Sequence, residues 1–144
     1  MEFDLDKVRK LTSEIRNALQ RLEELKELSE SNFSADPHKV GSAKYNLIVA
    51  IEGVVDLSHH LIAKNGFRTP EDYADTFKVM EEIGAIDKAF ALELTQMARF
   101  RNRLVHIYWD IDDPEIFRII QERLHDIKKF LSLYGTFIQV QNLS

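Results

Sequence analysis

Residues 36–66 read DPHKVGSAKYNLIVAIEGVVDLSHHLIAKNG, and this stretch predicts the long helix that decides the fold class. Asp36 suits the N-cap position, and Pro37 suits the first helical position, where a missing N–H costs nothing. The Asn65-Gly66 pair supplies a left-handed stop. Between these signals, apolar residues recur every three or four positions and form one face, made of Val40, Ala43, Leu47, Ala50, Ile51, Val54, Leu57 and Leu61.

The helical period is also found before this stretch. From residue 6 to about residue 30 the apolar positions alternate three and four apart, which predicts a helix about 36 Å long at ~1.5 Å per residue. Residues 29–35 are small and polar, so we expect a loop there. Gly41 and Gly53 keep parts of the long helix thin, and another backbone can therefore approach closely at these positions.

Two further helices are predicted after the long one. Thr69 as a cap, with Pro70 directly behind it, predicts a short helix that ends near Gly84. Asp87 can cap the next helix, which should leave helical geometry around residues 106–110. The short helix runs through the apolar residues Tyr73, Phe77 and Met80, and the next helix uses Phe90, Leu94, Met97, Phe100 or Arg101, and Leu104.

The last helix opens at residues 112–115, Asp-Asp-Pro-Glu, and Gly135 is expected to end or bend it. No stretch shows the sustained alternation that is typical of a strand. We therefore predict an all-α, up-and-down bundle of four long helices plus one short helix, and a single domain over residues 1–144.

Composition narrows the classes of function. The 144 residues are 44% hydrophobic and 30% charged, which is the balance of a soluble globular domain. The chain has no cysteine, which excludes disulfides and thiolate metal sites, and its acidic N-terminus lacks an apolar signal core. No uninterrupted apolar run approaches the ~18 residues of a membrane span. These three features predict a cytoplasmic protein. The net charge of −5 argues against a broad non-specific nucleic-acid coat but allows a small basic site on an acidic body.

Residues 99–110, RFRNRLVHIYWD, combine cations with a group that titrates near neutral pH. Asn102 directly follows Arg101 and lies four residues before His106, so Asn102 and His106 are about 40° apart on a helix and share a face. Arg101 and His106 are about 140° apart and would flank one groove. Tyr108 follows on the exit loop. If the helix ends near His106, a relaxed last turn could bring Arg101 and His106 towards one ligand.

This set of side chains suits metal-free cleavage of RNA. A guanidinium can hold a phosphodiester and stabilise its developing charge, and an imidazole can move a proton to or from a ribose oxygen. One histidine supplies only one of the two proton transfers, so another residue or a second subunit must supply the other. We therefore expect a homodimer and no cofactor or metal.

Other interpretations of the segment stay open. Arginines near a helix C-terminus also complement the helix dipole, and Arg101 could be a phosphate clamp in a non-catalytic adaptor for a nucleotide or a nucleotidyltransferase. Phe100 and Trp109 are expected to be core or interface anchors rather than base-stacking platforms, and with Tyr108 they could simply pack a dimer.

A second group of polar side chains lies on the long helix. Glu52, Asp56 and His60 share a face at four-residue spacing, and His59 lies beside them. A metal site is conceivable there, but the spacing favours a polar cluster or a solvated stripe.

The residues around Arg101 resemble a known signature. Arg101-Asn102-x-x-x-His106 resembles that of HEPN-domain ribonucleases, and the longer Arg101-x-x-x-x-His106-x-Tyr108 is similar to that of the HepT-type toxins of HepT–MntA toxin–antitoxin modules. Residues 50–61 and 68–77 look like the second and third helices of that family, so the likeness covers nearly the whole chain.

The resemblance implies a HEPN-like bundle that homodimerises, with the two motifs lining a shared cleft. It implies RNA cleavage by Arg101 and His106, with Asn102 in support. It also implies a partner, a minimal nucleotidyltransferase of MntA type, that adenylylates Tyr108 and so blocks the site with bulk and negative charge.

Overall fold

The computed structural model describes residues 1–107 and 110–144, and in this part of the chain it has six helices and no strand. The all-α prediction is confirmed, and a five-residue helix is added to the four long helices and the one short helix expected. The helices are α1 (Leu5–Lys26), α2 (Glu30–Ser34), α3 (Pro37–Lys64), α4 (Tyr73–Glu82), α5 (Lys88–His106) and α6 (Asp113–Ile138).

The predicted N-caps Asp36 and Asp87 are confirmed, and the last helix opens where predicted, with Asp112 as its N-cap. Asp36 accepts a hydrogen bond from the His38 N–H at the start of α3, and Asp87 and Asp112 cap α5 and α6 in the same way. Helix α3 ends at the predicted stop, where Gly66 has a φ of 65°. These signals act through adjacent backbone atoms, so the sequence alone is sufficient to place them.

One predicted helix start is wrong, and Gly135, which was expected to end or bend the last helix, does not end it. Helix α4 begins at Tyr73 rather than behind Thr69, because the extended Asp72 is the residue that caps it and accepts from the Asp75 N–H at 2.7 Å. Gly135 does not end α6, which continues to Ile138 and stops at the left-handed Gln139.

The expected loop at residues 29–35 contains helix α2. Ser29 accepts from the Asn32 N–H, and Phe33 is fully buried with its ring 5.6 Å from that of Phe117 in α6. A polar stretch thus forms a helical turn because one aromatic side chain is anchored in the core. Tertiary packing of this kind is not visible in local composition.

Helix α3 is the central element and packs against each of the other five helices. It is long and apolar enough to cross a membrane, but 67% of its apolar window is buried inside the bundle, as expected of a core helix. The closest approach is at Gly53, where an added Cβ would lie 2.4 Å from Cγ1 of Ile15 in α1. The expected close approach is therefore found at Gly53, whereas Gly41 has open space around it.

We predict opposite effects for alanine at the two glycines of α3. Gly53→Ala must push α1 away from α3, and we expect it to lower the free energy of unfolding by roughly 1–3 kcal/mol. Gly41→Ala meets nothing within 4 Å and should raise it by roughly 0.5–1 kcal/mol, because alanine has less freedom to lose in a helix. Urea unfolding measures both. Equal effects of the two substitutions would contradict the close α1–α3 contact.

Candidate functional site

Arg101 lies five residues before the end of α5 and turns its side chain into the bundle, where only 12% of it is exposed. Its Nη2 forms an ion pair with Oε1 of Glu52 in α3, and its Nη1 donates to Oδ1 of Asn102 at 3.1 Å. The guanidinium also lies over the ring of Tyr73 at the start of α4, 4.9 Å from the ring centroid. Three helices therefore fix the orientation of this cation.

One N–H of the guanidinium has no partner among the residues that the structure describes. Nε of Arg101 is buried and makes no hydrogen bond within the described residues. An unpaired buried donor costs free energy, and such groups are concentrated where strain or chemistry requires them. The guanidinium is thus firmly held on one side and incompletely bonded on another.

His106 is the last residue of α5 and is exposed. Its side chain makes no hydrogen bond or ion pair with any residue in the described ranges, whereas Asn102 accepts a hydrogen bond from Arg101. The structure therefore brings the Arg101 and Asn102 side chains together and leaves the His106 imidazole at the helix end with no hydrogen bond to either. Tyr108 and Trp109 lie outside the described residues, so the predictions made for them rest on the sequence. Phe100 is buried in the core, as expected.

The other two arginines of the segment are placed differently. Arg103 is exposed and makes a two-pronged ion pair with Glu115 of α6, at 2.8 and 3.1 Å. Arg99 is exposed and makes no ion pair with the described residues. Only Arg101 of the three points inward, which separates it from cations that merely complement the helix dipole.

The four polar residues singled out on α3 do not converge on one point. Glu52 pairs with Arg101, and the Asp56 carboxylate is only partly enclosed and makes no hydrogen bond or ion pair with the described residues. His59 Nε2 lies 2.8 Å from the Thr76 hydroxyl of α4, while His60 Nε2 accepts from the Asp4 N–H. Across the described residues no group of three or more histidine, aspartate and glutamate side chains could hold a metal ion.

Burial changes the pKa of three of these groups. The pKa of Asp56 is raised, first by burial and then by the charge of Glu52. The pKa of His59 is lowered by burial, against the opposing effect of Asp56. The pKa of His60 is lowered by burial and by Lys7. Both histidines of the cluster therefore favour the neutral imidazole near pH 7.

Tyr73 and Thr76 were not predicted as parts of one site with Arg101 and Glu52. Glu52 and Arg101 are 49 residues apart in sequence, and no local spacing connects them. An arginine that faces the inside of a bundle needs a negatively charged partner, which suggests a carboxylate on the central helix. The sequence does not indicate that this carboxylate is Glu52.

The bundle has the HEPN fold. It superposes on the tri-AMPylated HEPN toxin of Shewanella oneidensis, solved in complex with its MNT antitoxin, with a TM-score of 0.84 and 20% identity over 92% of this chain and 99% of that one. It also superposes on YutE, a cytosolic protein of unknown function from Bacillus subtilis, with a TM-score of 0.83 and 17% identity over 95% and 92% of the two chains.

Sequence comparison gives the family. The family model described as "Ribonuclease HepT-like" matches residues 15–133. The chain is 32% identical to a candidate RNase of Archaeoglobus fulgidus over 95 residues, 66% of this chain and 71% of that protein. It is 23% identical to the mRNA nuclease HepT of Shewanella oneidensis over 103 residues, 72% and 77% of the two chains. The protein belongs to the HepT-like ribonuclease family, which confirms the resemblance seen in its sequence.

The lowered pKa values of His59 and His60 predict acid sensitivity. As the pH falls through 6.5, the ordinary pKa of histidine, the unfolded chain takes up protons that the folded chain does not bind. The free energy of unfolding therefore keeps its full value above that pH and decreases as the pH falls towards the lowered pKa values of the folded chain. Urea unfolding at about pH 7.5 and about pH 5.5 measures the loss. His59→Gln should reduce it, while His38→Gln, in the exposed first turn of α3, should not. Identical pH dependence in the parent and His59→Gln would refute this.

Proposed function

We propose that the protein is a metal-independent endoribonuclease that cuts RNA with Arg101 and His106. The observation that carries the proposal is the placement of Arg101, an inward-facing and incompletely bonded guanidinium on the same helix as the exposed His106. Membership of the HepT-like ribonuclease family supports the same activity.

Arg101 is the group that binds the phosphodiester. A guanidinium can offer two parallel N–H bonds to phosphate oxygens and stabilise the charge that builds up on them. In the structure Glu52 is bound to one side of the Arg101 guanidinium, so a phosphate must either share the guanidinium with Glu52 or displace Glu52 from it. The Glu52 side chain is 39% exposed, and water can solvate it once it is released.

His106 moves a proton at the scissile phosphate. It is exposed, so its imidazole is free to meet a substrate, and Asn102 on the same helix face supports the site by accepting from Arg101. The reaction needs a second proton transfer. A homodimer in which two α5 helices face each other would place a further His106 near the same cleft.

We predict RNA cleavage in excess chelator and its loss on substitution of the motif. His106→Ala should reduce the cleavage rate roughly 100-fold to 10,000-fold, because proton transfer is lost. Arg101→Ala should reduce it about 100-fold to 1,000-fold, because charge stabilisation is lost. Gel assays with a labelled RNA measure the rates, and Arg99→Ala is the matched control because Arg99 is exposed on the same helix and unpaired with the described residues.

Two results would remove this proposal. Cleavage by His106→Ala at the parental rate would show that the histidine has no role. Binding of RNA or of a nucleotide by the parent protein without turnover, with loss of binding in Arg101→Ala, would indicate the non-catalytic adaptor instead.

The activity is controlled by a nucleotidyltransferase partner of MntA type that adenylylates Tyr108. This part of the proposal is supported by the relative of the same fold that was solved AMPylated and in complex with its MNT antitoxin. Tyr108 lies two residues after His106, so an adenylyl group on its hydroxyl would bring negative charge to the place where a substrate phosphate binds. The pair would act as a toxin–antitoxin module in the cytoplasm.

We predict that co-expression with a nucleotidyltransferase of MntA type raises the mass of the protein by one or more adenylyl groups. Tyr108→Phe should abolish the gain because the acceptor hydroxyl is missing. Tyr45→Phe is the control, since Tyr45 on α3 is 65% exposed and offers an equally accessible phenol. Intact mass spectrometry measures the gain. An adenylyl group that persists in Tyr108→Phe and is lost in Tyr45→Phe would place the modification elsewhere.

A further inference from the structure

Hydrogen bonds determine which nitrogen of His59 carries its proton. The Thr76 hydroxyl donates its only hydrogen to the Asp72 carbonyl at 3.1 Å, so towards His59 it can only accept. Nε2 of His59 lies 2.8 Å from that hydroxyl, so with the hydroxyl hydrogen on the Asp72 carbonyl Nε2 is assigned as the protonated nitrogen. In the neutral imidazole, Nδ1 is then the basic atom.

Nδ1 of His59 is open to a ligand. It makes no hydrogen bond with the described residues, and it is not among their buried unpaired atoms, so solvent reaches it. His59 lines a groove of about 600 Å³ between α1 and α3, together with Asp56 and Lys7. A fixed tautomer with an accessible basic nitrogen is what a general base requires.

The same histidine contacts the aromatic ring over which Arg101 lies. The rings of His59 and Tyr73 meet edge to face, with centroids 6.0 Å apart, and Arg101 lies over that same tyrosine ring at 4.9 Å. One aromatic side chain thus connects the imidazole with the guanidinium. The 2′-hydroxyl of RNA and the phosphate that it attacks are neighbouring groups, so a single nucleotide can reach both.

We propose that His59 is the general base of the RNA cleavage proposed above. It would supply from the same chain the second proton transfer that a homodimer would otherwise take from a further His106. Nδ1 of His59 takes the proton of the 2′-hydroxyl, and the 2′-oxygen forms a bond to phosphorus. The bond from phosphorus to the 5′-oxygen breaks, and His106 gives that oxygen a proton. The products are a 2′,3′-cyclic phosphate and a 5′-hydroxyl, and the two histidines regain their starting states by exchange with water.

The charged groups around His59 suit this role. Lys7 from α1 and His60 and Lys64 from α3 line the same groove, and Tyr73 contacts the ring from α4. Asp56 favours the protonated imidazole, but burial outweighs it and lowers the pKa of His59. His59 is therefore ready to accept a proton near pH 7, and it gains one as the reaction proceeds.

The test compares His59→Gln with His38→Gln, a control in the exposed first turn of the same helix. His59→Gln should lower kcat on RNA roughly 100-fold to 10,000-fold with little change in KM, and it should remove the acidic limb of the pH–rate profile. Thr76→Val, which removes the acceptor that fixes the tautomer, should cause a smaller loss. Nitrogen NMR of the imidazole should show the Nε2–H form in the parent and a mixture in Thr76→Val.

An activated substrate distinguishes the role of His59 from the role of His106. An RNA oligonucleotide that ends in a nitrophenyl phosphodiester needs no proton on its leaving group, so His106→Ala should recover most of its rate while His59→Gln stays slow. The reverse pattern, or a loss in His38→Gln equal to that in His59→Gln, would overturn the role given to His59. RNA cleavage by His59→Gln at the parental rate would remove this inference alone, whereas no cleavage by the parent protein would remove the proposed activity as well.

Discussion

The ion pair between Arg101 and Glu52 is the interaction on which the site depends, because it joins the helix that carries the motif to the central helix of the bundle. The Tyr73 ring beneath the guanidinium adds a third helix to the contact. Loss of one partner from a fully buried pair costs roughly 3–5 kcal/mol, but Glu52 is partly exposed and its carboxylate can be hydrated. The pair is therefore strong enough to orient the arginine and, in the proposed mechanism, weak enough to yield to a phosphate. That balance would be lost if Glu52 were fully enclosed.

Much of the fold could be predicted from the sequence because its signals are local. Asp36, Asp87 and Asp112 each cap the helix that follows, and in each case the atoms involved lie within three residues. The failures have the opposite character. Helix α2 forms because Phe33 is anchored against another helix, and α4 starts late because two acceptable caps compete and only tertiary context chooses Asp72. The sequence near a helix end shows which residues could cap the helix, but it does not show which of them does.

For the candidate site too, the sequence predicted the residues that lie close together in the chain but not the contacts between helices. Arg101, Asn102 and His106 stand close together in one segment, so their spacing could be recognised at once. Glu52 and His59 were noticed only as polar residues on one helix, and nothing in their spacing indicates that one would hold Arg101 and the other would bond to α4. Such contacts are consequences of helix packing. The sequence therefore located the motif, and the structure supplied its surroundings.

The exposed pair between Arg103 and Glu115 has a consequence for the behaviour of the bundle in concentrated electrolyte. It connects the last turn of α5 to the first turn of α6, and both partners face water. Mobile counter-ions weaken attraction between solvated charges, with a Debye length of about 8 Å at physiological ionic strength and about 3 Å at 1 M. The contact between α5 and α6 at Arg103 and Glu115 should consequently weaken at high salt concentration. The enclosed guanidinium of Arg101, two residues earlier, keeps its orientation.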